Sequence, residues 1–374
     1  MEKTLKKEET YYENIRNKGY SRRDFLRFVT YMTAFMGVES SMVGQVVKAM
    51  ETKKRIPVIW DHFQECTGCT ESFIRPNHPL VADLILDKIS LDYTDTLMAA
   101  SGFQAEEAKQ QSMKENYGKY ILVVEGAIPM KDDGVYCSIA GRTAIEILKE
   151  DAAGAAAILT FGNCSSWGGI QAAAPNPTGA VPVNVLIKDK PIIRVPGCPP
   201  IPEVMIGVVM NYVTFGTLPA LDSMRRPKQF YGKRVHDSCY RRAYFDAGLF
   251  AESFDSEEAK KGYCLYKLGC RGPLTYNACG WMKWNNGLSF PIQSGNPCIG
   301  CSDNHFWDND PFTKRVENVP GFGIESTANT IGKIVLGAAI GGTAVHAFAA
   351  NIAKKKDLRA SSRKGKVNEK DIKE

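Results

Sequence analysis

Eleven cysteines, all lying between Cys66 and Cys301, constrain this 374-residue chain more than any other feature. An odd number spread so widely makes a poor disulfide framework, which belongs to small domains with dense, even counts. Metal ligation is the better first explanation, because thiolates in separate loops can converge on a soft metal centre.

The net charge of +6 invites a nucleic-acid reading, but its distribution removes it. Residues 1–55 hold 12 basic and 7 acidic side chains, and residues 353–374 hold 9 and 4. The body between them keeps 26 basic against 30 acidic residues and is mildly acidic. A duplex-binding surface needs its basic stripe on the folded part, so no nucleic-acid partner is expected.

Four short apolar runs, 56–60, 120–125, 155–161 and 191–195, have the length and composition of buried parallel strands. Helix-like segments at 79–89, 105–117, 140–149 and 203–213 separate and follow them. This alternation predicts an α/β, doubly wound, parallel-sheet domain. Each strand ends in a polar or metal-capable group: Cys66 and Cys69 follow the first, Glu125 ends the second, and Cys164 and Cys198 follow the third and fourth. Ligands of open α/β sheets bind beyond the carboxyl ends of the strands, so four cysteines from three loops are placed to converge. From about 226 to 322 strand alternation fades, and six cysteines and two histidines fall in a stretch rich in Gly, Pro, Asn and aromatics. Such a segment needs internal staples, which metal clusters supply.

The two ends carry addresses. Arg22-Arg23, within Ser21-Arg22-Arg23-Asp24-Phe25-Leu26-Arg27 and before a moderately apolar stretch, resembles a twin-arginine export signal. An amphipathic helix with a basic face is the plainer alternative. The resemblance assigns residues 1–50 to a signal removed near Ala49, and implies the export machinery as a partner. Near the other end, residues 329–352 carry one charge, Lys333, and run into Lys354-Lys355-Lys356. A helix of that length covers roughly 36 Å, enough to cross a bilayer, and the lysines mark its cytoplasmic end. Residues 323–353 are thus read as a single anchor and 354–374 as a basic cytoplasmic tail. Gly337 and Gly341 suit close packing against another membrane helix, while His346 needs a polar partner inside such a span.

Spacing also sorts the later cysteines. His236-x-x-Cys239 and Cys298-x-x-Cys301 taken alone fit zinc sites, but the full set exceeds two structural zincs and has no finger spacing. Cys66-Thr67-Gly68-Cys69-Thr70-Glu71-Ser72, Glu125-Gly126-Ala127-Ile128-Pro129, Gly162-Asn163-Cys164, Pro196-Gly197-Cys198-Pro199-Pro200 and Pro297-Cys298-Ile299-Gly300-Cys301 stand in order along the chain. Together they resemble the small, electron-transferring subunit of membrane-bound nickel–iron uptake hydrogenases, over roughly 55–322.

That resemblance implies a flavodoxin-like domain at 51–225 and an iron–sulfur domain at 226–322. It assigns Cys66, Cys69, Cys164 and Cys198 to a proximal 4Fe–4S cluster. His236, Cys239, Cys264 and Cys270 would hold a distal 4Fe–4S cluster, and Cys279, Cys298 and Cys301 a medial 3Fe–4S cluster, with Pro291 where a fourth cysteine would otherwise stand. Cys137 is left over as a buried thiol. Oxygen-tolerant relatives carry two extra proximal cysteines; Gly68 and Gly169 stand at those positions here, which implies an oxygen-sensitive enzyme. The nickel–iron site would lie in a large subunit, so no catalytic residue is expected in this chain. Electrons would leave for a membrane cytochrome b and the quinone pool, from a body facing the periplasm and anchored in the inner membrane. A dimer of the heterodimer is a further possible assembly. Glu65 and Glu125 are read as a surface or proton-moving carboxylate and a structural one; His62, His78 and His305 as hydrogen-bonding or surface residues; Trp281, Trp284 and Trp307 as packing. The rivals are a quinone-reductase-type iron–sulfur subunit, which leaves the second half unexplained, and a membrane-tethered zinc or disulfide protein.

Overall fold

The computed structural model describes residues 11–17, 19–36, 39–52, 55–76, 89–308, 314–315 and 324–368. One compact unit runs from Met1 to Arg315 and a second from Val316 to Glu374.

Five parallel strands build the first unit: β1 (Ile56–His62), β2 (Ile89–Thr94), β3 (Ile121–Glu125), β4 (Ala157–Phe161) and β5 (Ile192–Val195). Their spatial order is β2-β1-β3-β4-β5, the flavodoxin-like arrangement. β3 and β4 are buried along their whole length, as expected of central strands covered on both faces. Four of the five strands coincide with the apolar runs in the sequence. The fifth, β2, is an edge strand in which Ser90 and Asp92 interrupt the apolar pattern. Its first residue, Ile89, closes the segment read as helix over 79–89; the rest of that segment, apart from Ile89, lies outside the described residues.

Helices α5 (Gly102–Glu115) and α6 (Ala144–Ala153) follow β2 and β3. Thr143 and Glu146 close the start of α6 with a capping box. Behind β1, α5 and α6 meet at a buried charge triad: the Lys109 ammonium donates to Asp61 at 2.7 Å and pairs with Asp151. Burial alone would lower the Lys109 pKa, but the two carboxylates outweigh it and raise it.

Among the described residues three α-helices precede the sheet: α1 (Tyr11–Asn17), α2 (Arg22–Phe35) and α3 (Val43–Thr52). Helix α2 is amphipathic. Phe25, Val29, Met32 and Met36 are buried at helical spacing, while Arg22, Arg23 and Arg27 stay exposed. The buried side joins the same apolar cluster as Val58, Val123 and the long helix after β5, Pro202–Phe215.

The cysteine-rich half is irregular, with one-turn helices such as Arg242–Asp246 and Glu257–Lys260. Its aromatic and aliphatic side chains, Phe230, Tyr231, Leu265 and Phe290 among them, share an apolar cluster with the sheet. Among its described residues the second unit carries one helix, Ile324–Asn368, which runs through Lys354-Lys355-Lys356 without a break. Its segment Gly332–Arg359 is 28 residues long and contains an 18-residue stretch of mean hydropathy 1.5, long and apolar enough to cross a membrane.

Candidate metal centres

The first site grows from the carboxyl edge of the sheet, where strand order reverses between β1 and β3. After β1 the chain turns through Cys66 and enters α4 (Gly68–Phe73), with Thr67 held at φ +60. Glu125, the buried last residue of β3, receives this turn. Its carboxylate accepts the Cys69 N–H at 2.9 Å, the Thr70 N–H at 3.0 Å and the Thr70 hydroxyl at 2.6 Å. The carboxylate thus fixes the loop amides around Cys69, the supporting role expected of it.

Cys164 lies in α7 (Gly162–Trp167), directly after β4, and Cys198 follows β5. Asn163 ties these loops together: its N–H donates to the Gly197 carbonyl at 2.9 Å and its side-chain oxygen accepts the Gly197 N–H at 3.0 Å. Its amide nitrogen also donates to the Asp303 carbonyl at 3.1 Å, which fastens the cysteine-rich half to the sheet edge. Burial pushes the Cys69 thiol well up, and Glu125, Cys164, Cys198 and Cys66 add to the shift. Cys164 is pushed up to about 12, first by burial, opposed by a hydrogen bond from Gln171. Burial raises Cys198 as well, so as free groups the Cys69, Cys164 and Cys198 thiols would stay protonated. Binding iron reverses that preference, because the metal takes the thiolate.

Two glycines shape this recess. A Cβ on Gly162 would run into the Cys69 sulfur, and one on Gly169 would come within 2.6 Å of the Cys164 sulfur. Backbone at these points approaches the sulfurs more closely than any other residue type permits. Cys66 and Cys198 remain exposed, so one side of the recess is open.

A second recess gathers His236, Cys239, Cys264 and Cys270, with Arg241, Arg242, Leu265, Gly272 and Ile292 in its wall. Burial and the nearby Arg242 lower the His236 pKa to about 4, leaving the imidazole neutral and able to bind metal. Arg241 is buried here. Its guanidinium donates to the Tyr263 carbonyl at 2.7 Å and to the Tyr240 hydroxyl at 2.6 Å.

Cys279, Cys298 and Cys301 form the third group. Burial raises all three thiols; Cys301 acts on Cys279, and both act on Cys298. Hydrogen bonds tie the loops of this trio to those of the other sets, through Trp167 and the Ser302 carbonyl at 3.2 Å on one side and Arg271 on the other. The Cys198 backbone opposes the rise that burial gives the Cys301 thiol, and Cys270 is the neighbouring thiol that acts most strongly on Cys298. The Arg271 N–H also donates to the Cys298 carbonyl at 2.8 Å. Trp284, read from the sequence as packing, hydrogen-bonds the Cys279 sulfur. Neither Trp284 nor Gln171 carries a spacing that announces such a contact.

All eleven cysteines are unbridged. Among the described residues no three His, Cys, Asp or Glu side chains close on a single ion. Donor chemistry and the glycine-lined recess both fit iron–sulfur clusters. Cys137 stands apart, half-buried against the second core cluster, with no other cysteine acting on it. His62 is buried. Its ring hydrogen-bonds Thr94 at 3.2 Å and lies 3.8 Å from Glu125. His78 lies outside the described residues, and His305 is exposed beside Trp307.

A flavodoxin-like sheet with cysteines at its carboxyl edge, joined to a cysteine-rich irregular half, defines a multi-centre redox protein. Residues 66–212 match the family model of the 20 Kd NADH ubiquinone oxidoreductase subunit, and residues 231–313 match that of the C-terminal region of the NiFe/NiFeSe hydrogenase small subunit. The second match separates the chain from the quinone-reductase rival. It is 53% identical to the hydrogenase-1 small chain of Citrobacter freundii over 92% of each chain. Identity to the uptake hydrogenase small subunit of Azotobacter vinelandii is also 53%, over 91% of this chain and 95% of that one. A [NiFeSe]-hydrogenase structure from Desulfomicrobium baculatum superposes with TM-score 0.66 at 34% identity, covering 71% of this chain and 100% of that one. The chain belongs to the family of nickel–iron uptake hydrogenase small subunits, the electron-transfer subunits of that enzyme.

Proposed function

We propose that this chain relays electrons from hydrogen oxidation in a large subunit to a membrane acceptor, with its three ligand sets as successive stations. The observation that carries this reading is the linkage of their loops: Asn163 and Trp167, either side of Cys164, donate to the Asp303 and Ser302 carbonyls next to Cys301, and the Arg271 N–H, next to Cys270, donates to the Cys298 carbonyl. Cys66, Cys69, Cys164 and Cys198 would hold a proximal 4Fe–4S cluster, Cys279, Cys298 and Cys301 a medial 3Fe–4S cluster, and His236, Cys239, Cys264 and Cys270 a distal 4Fe–4S cluster. Iron–sulfur clusters supply one-electron chemistry at potentials set by charge, hydrogen bonds and exposure.

The chain's own residues act on each of those variables. Glu125 and Asn163 lock the proximal loops in place. Trp284 and Gln171 favour the charged form of the Cys279 and Cys164 sulfurs. Neutral His236 replaces one negative thiolate at the distal set, which raises the potential relative to four thiolates. The open side of the proximal recess, where Cys66 and Cys198 are exposed, is where the large subunit would exclude water. With glycine at 68 and 169, the proximal set has four cysteines and no spare sulfur, which supports the oxygen-sensitive type.

The segment Gly332–Arg359 would anchor the complex in the inner membrane, with the lysine cluster on the cytoplasmic side, the body in the periplasm, and a cytochrome b feeding the quinone pool beside it. Residues 1–50, with Arg22 and Arg23, would serve as the twin-arginine signal. Hydrogen-dependent reduction of a quinone analogue by membranes carrying the complex tests this reading. Activity should persist in membranes and fail when the chain is truncated after residue 323; quinone reduction by the truncated, soluble complex would contradict it.

A further inference from the structure

The amino-terminal helices do more in this structure than an address requires. The helix after β5, α8 (Pro202–Phe215), carries an almost wholly apolar sequence and is buried along nearly its whole length. One side lies over the sheet. Helices α2 and α3 pack against it as well, and Phe25, Val29, Met32, Met36 and Val46 are buried in the cluster they form with it. Local contacts hold this layer together. Ser21 and Asp24 form a capping box at the start of α2, Arg22 pairs with Glu51 of α3 at 3.4 Å, and Tyr12 meets Phe25 edge to face.

The division of α2 is informative. The Arg22 side chain is 60% exposed and Arg23 is exposed, while Phe25, two residues on, is fully buried. A receptor for the arginine pair that also reads the apolar side of this helix must first detach it from the body. Removal of residues 1–50 would strip an apolar helix of its cover, a surface that a soluble domain does not leave bare. The neighbourhood of α8 shows what replaces it. Helix α8 starts just after Cys198 and packs against α4, which carries Cys69. Cys66 and Cys198 are exposed at this same edge, so the chain that closes the proximal recess arrives next to α8.

We propose that residues 21–52 are a removable cover for α8, and that docking of the large subunit displaces them, so that assembly itself frees the export signal. The proposal rests on the reading of residues 1–50 as that signal and of a large subunit as partner. Export would then be coupled to assembly by competition for one apolar face, without a separate sensor. The lone small chain would keep its signal folded away.

Limited proteolysis of the purified full-length chain, alone and with the large subunit, tests this. Cleavage between residues 20 and 50 tracks the population of the detached state when opening is fast. Val29→Asp and Met32→Asp place a carboxylate in the apolar layer and detach it, whereas Tyr31→Asp, on the exposed side of α2, serves as the control. In the isolated chain the wild-type and Tyr31→Asp leaders should be cut at least about tenfold more slowly than the Val29→Asp and Met32→Asp leaders. Adding the large subunit should bring the wild-type rate up to theirs. An unprotected wild-type leader, or protection unchanged by the large subunit, overturns the proposal. Export of an Arg22→Lys, Arg23→Lys double variant separates the two readings: persistence of export would remove the signal assignment, while the protease comparison would still decide whether the helices form a displaceable cover.

Discussion

Gly162→Ala should remove one iron–sulfur centre and leave the rest of the molecule standing. Gly162 sits at φ +85 at the start of α7, and an added Cβ would collide with the Cys69 sulfur. The backbone cost of an alanine in the left-handed region is about 1–2 kcal/mol, small against a domain stability of roughly 5–15 kcal/mol. The chain should therefore still fold. The collision is the larger effect, because Cys69 cannot retreat. Its N–H is held by Glu125 at 2.9 Å, and the residue is buried. Gly102→Ala isolates the strain term, since Gly102 has φ +56 and nothing within 4 Å of an added Cβ. Iron and acid-labile sulfide in the purified complex give the result. With two 4Fe–4S clusters and one 3Fe–4S cluster, Gly162→Ala should lower the small-chain content from about 11 iron and 12 sulfide to about 7 and 8. Gly102→Ala should keep the full content. Full cluster content in Gly162→Ala would refute the placement of Cys69 in a proximal ligand set.

Other outcomes follow from the same structure. Arg241→Met removes a buried cation from the wall of the distal recess. At an effective dielectric near 20 and a separation of about 10 Å, that charge is worth on the order of 1–2 kcal/mol, so the distal potential in a redox titration followed by paramagnetic resonance should fall by tens of millivolts; Arg241→Lys should fall less. Lys109→Met leaves Asp61 and Asp151 buried without their cation and should cost about 3–5 kcal/mol in chemical denaturation. Burial and repulsion from Asp61 already raise Asp151, and loss of the lysine raises it further. A raised carboxyl pKa favours the folded state at low pH, so this variant should recover stability on acidification and lose it as pH rises through the folded pKa. The proximal centre, with glycine at 68 and 169, should titrate in a single one-electron step; two closely spaced steps would contradict the oxygen-sensitive reading.

Much of this architecture is legible in the sequence because its central strands are buried on both faces, so each reads as an unbroken apolar run. Strand β2 escapes because Ser90 and Asp92 sit on an edge strand, where one side need not be apolar. Cysteine spacing, with the family resemblance, groups the ligands. It does not show how the groups are joined, since the hydrogen bonds from Asn163 and Trp167 to Asp303 and Ser302, and from Arg271 to Cys298, link residues far apart in the chain. The carboxylate cradle at Glu125 is half legible: a charged residue ending an apolar strand is conspicuous, but its three donors lie 55 and 56 residues away. Trp284 and Gln171 are silent in sequence because a single hydrogen bond to sulfur imposes no periodicity. The first fifty residues read as an address with no place in the fold, yet α2 repeats its apolar side chains at helical spacing and buries them.

The most direct test of the central claim is the acid-labile sulfide content of the complex purified anaerobically with its large subunit. Three ligand sets holding two 4Fe–4S clusters and one 3Fe–4S cluster predict about 12 sulfides per small chain, with iron to match. About four sulfides, or zinc with no sulfide, would contradict the three-station relay.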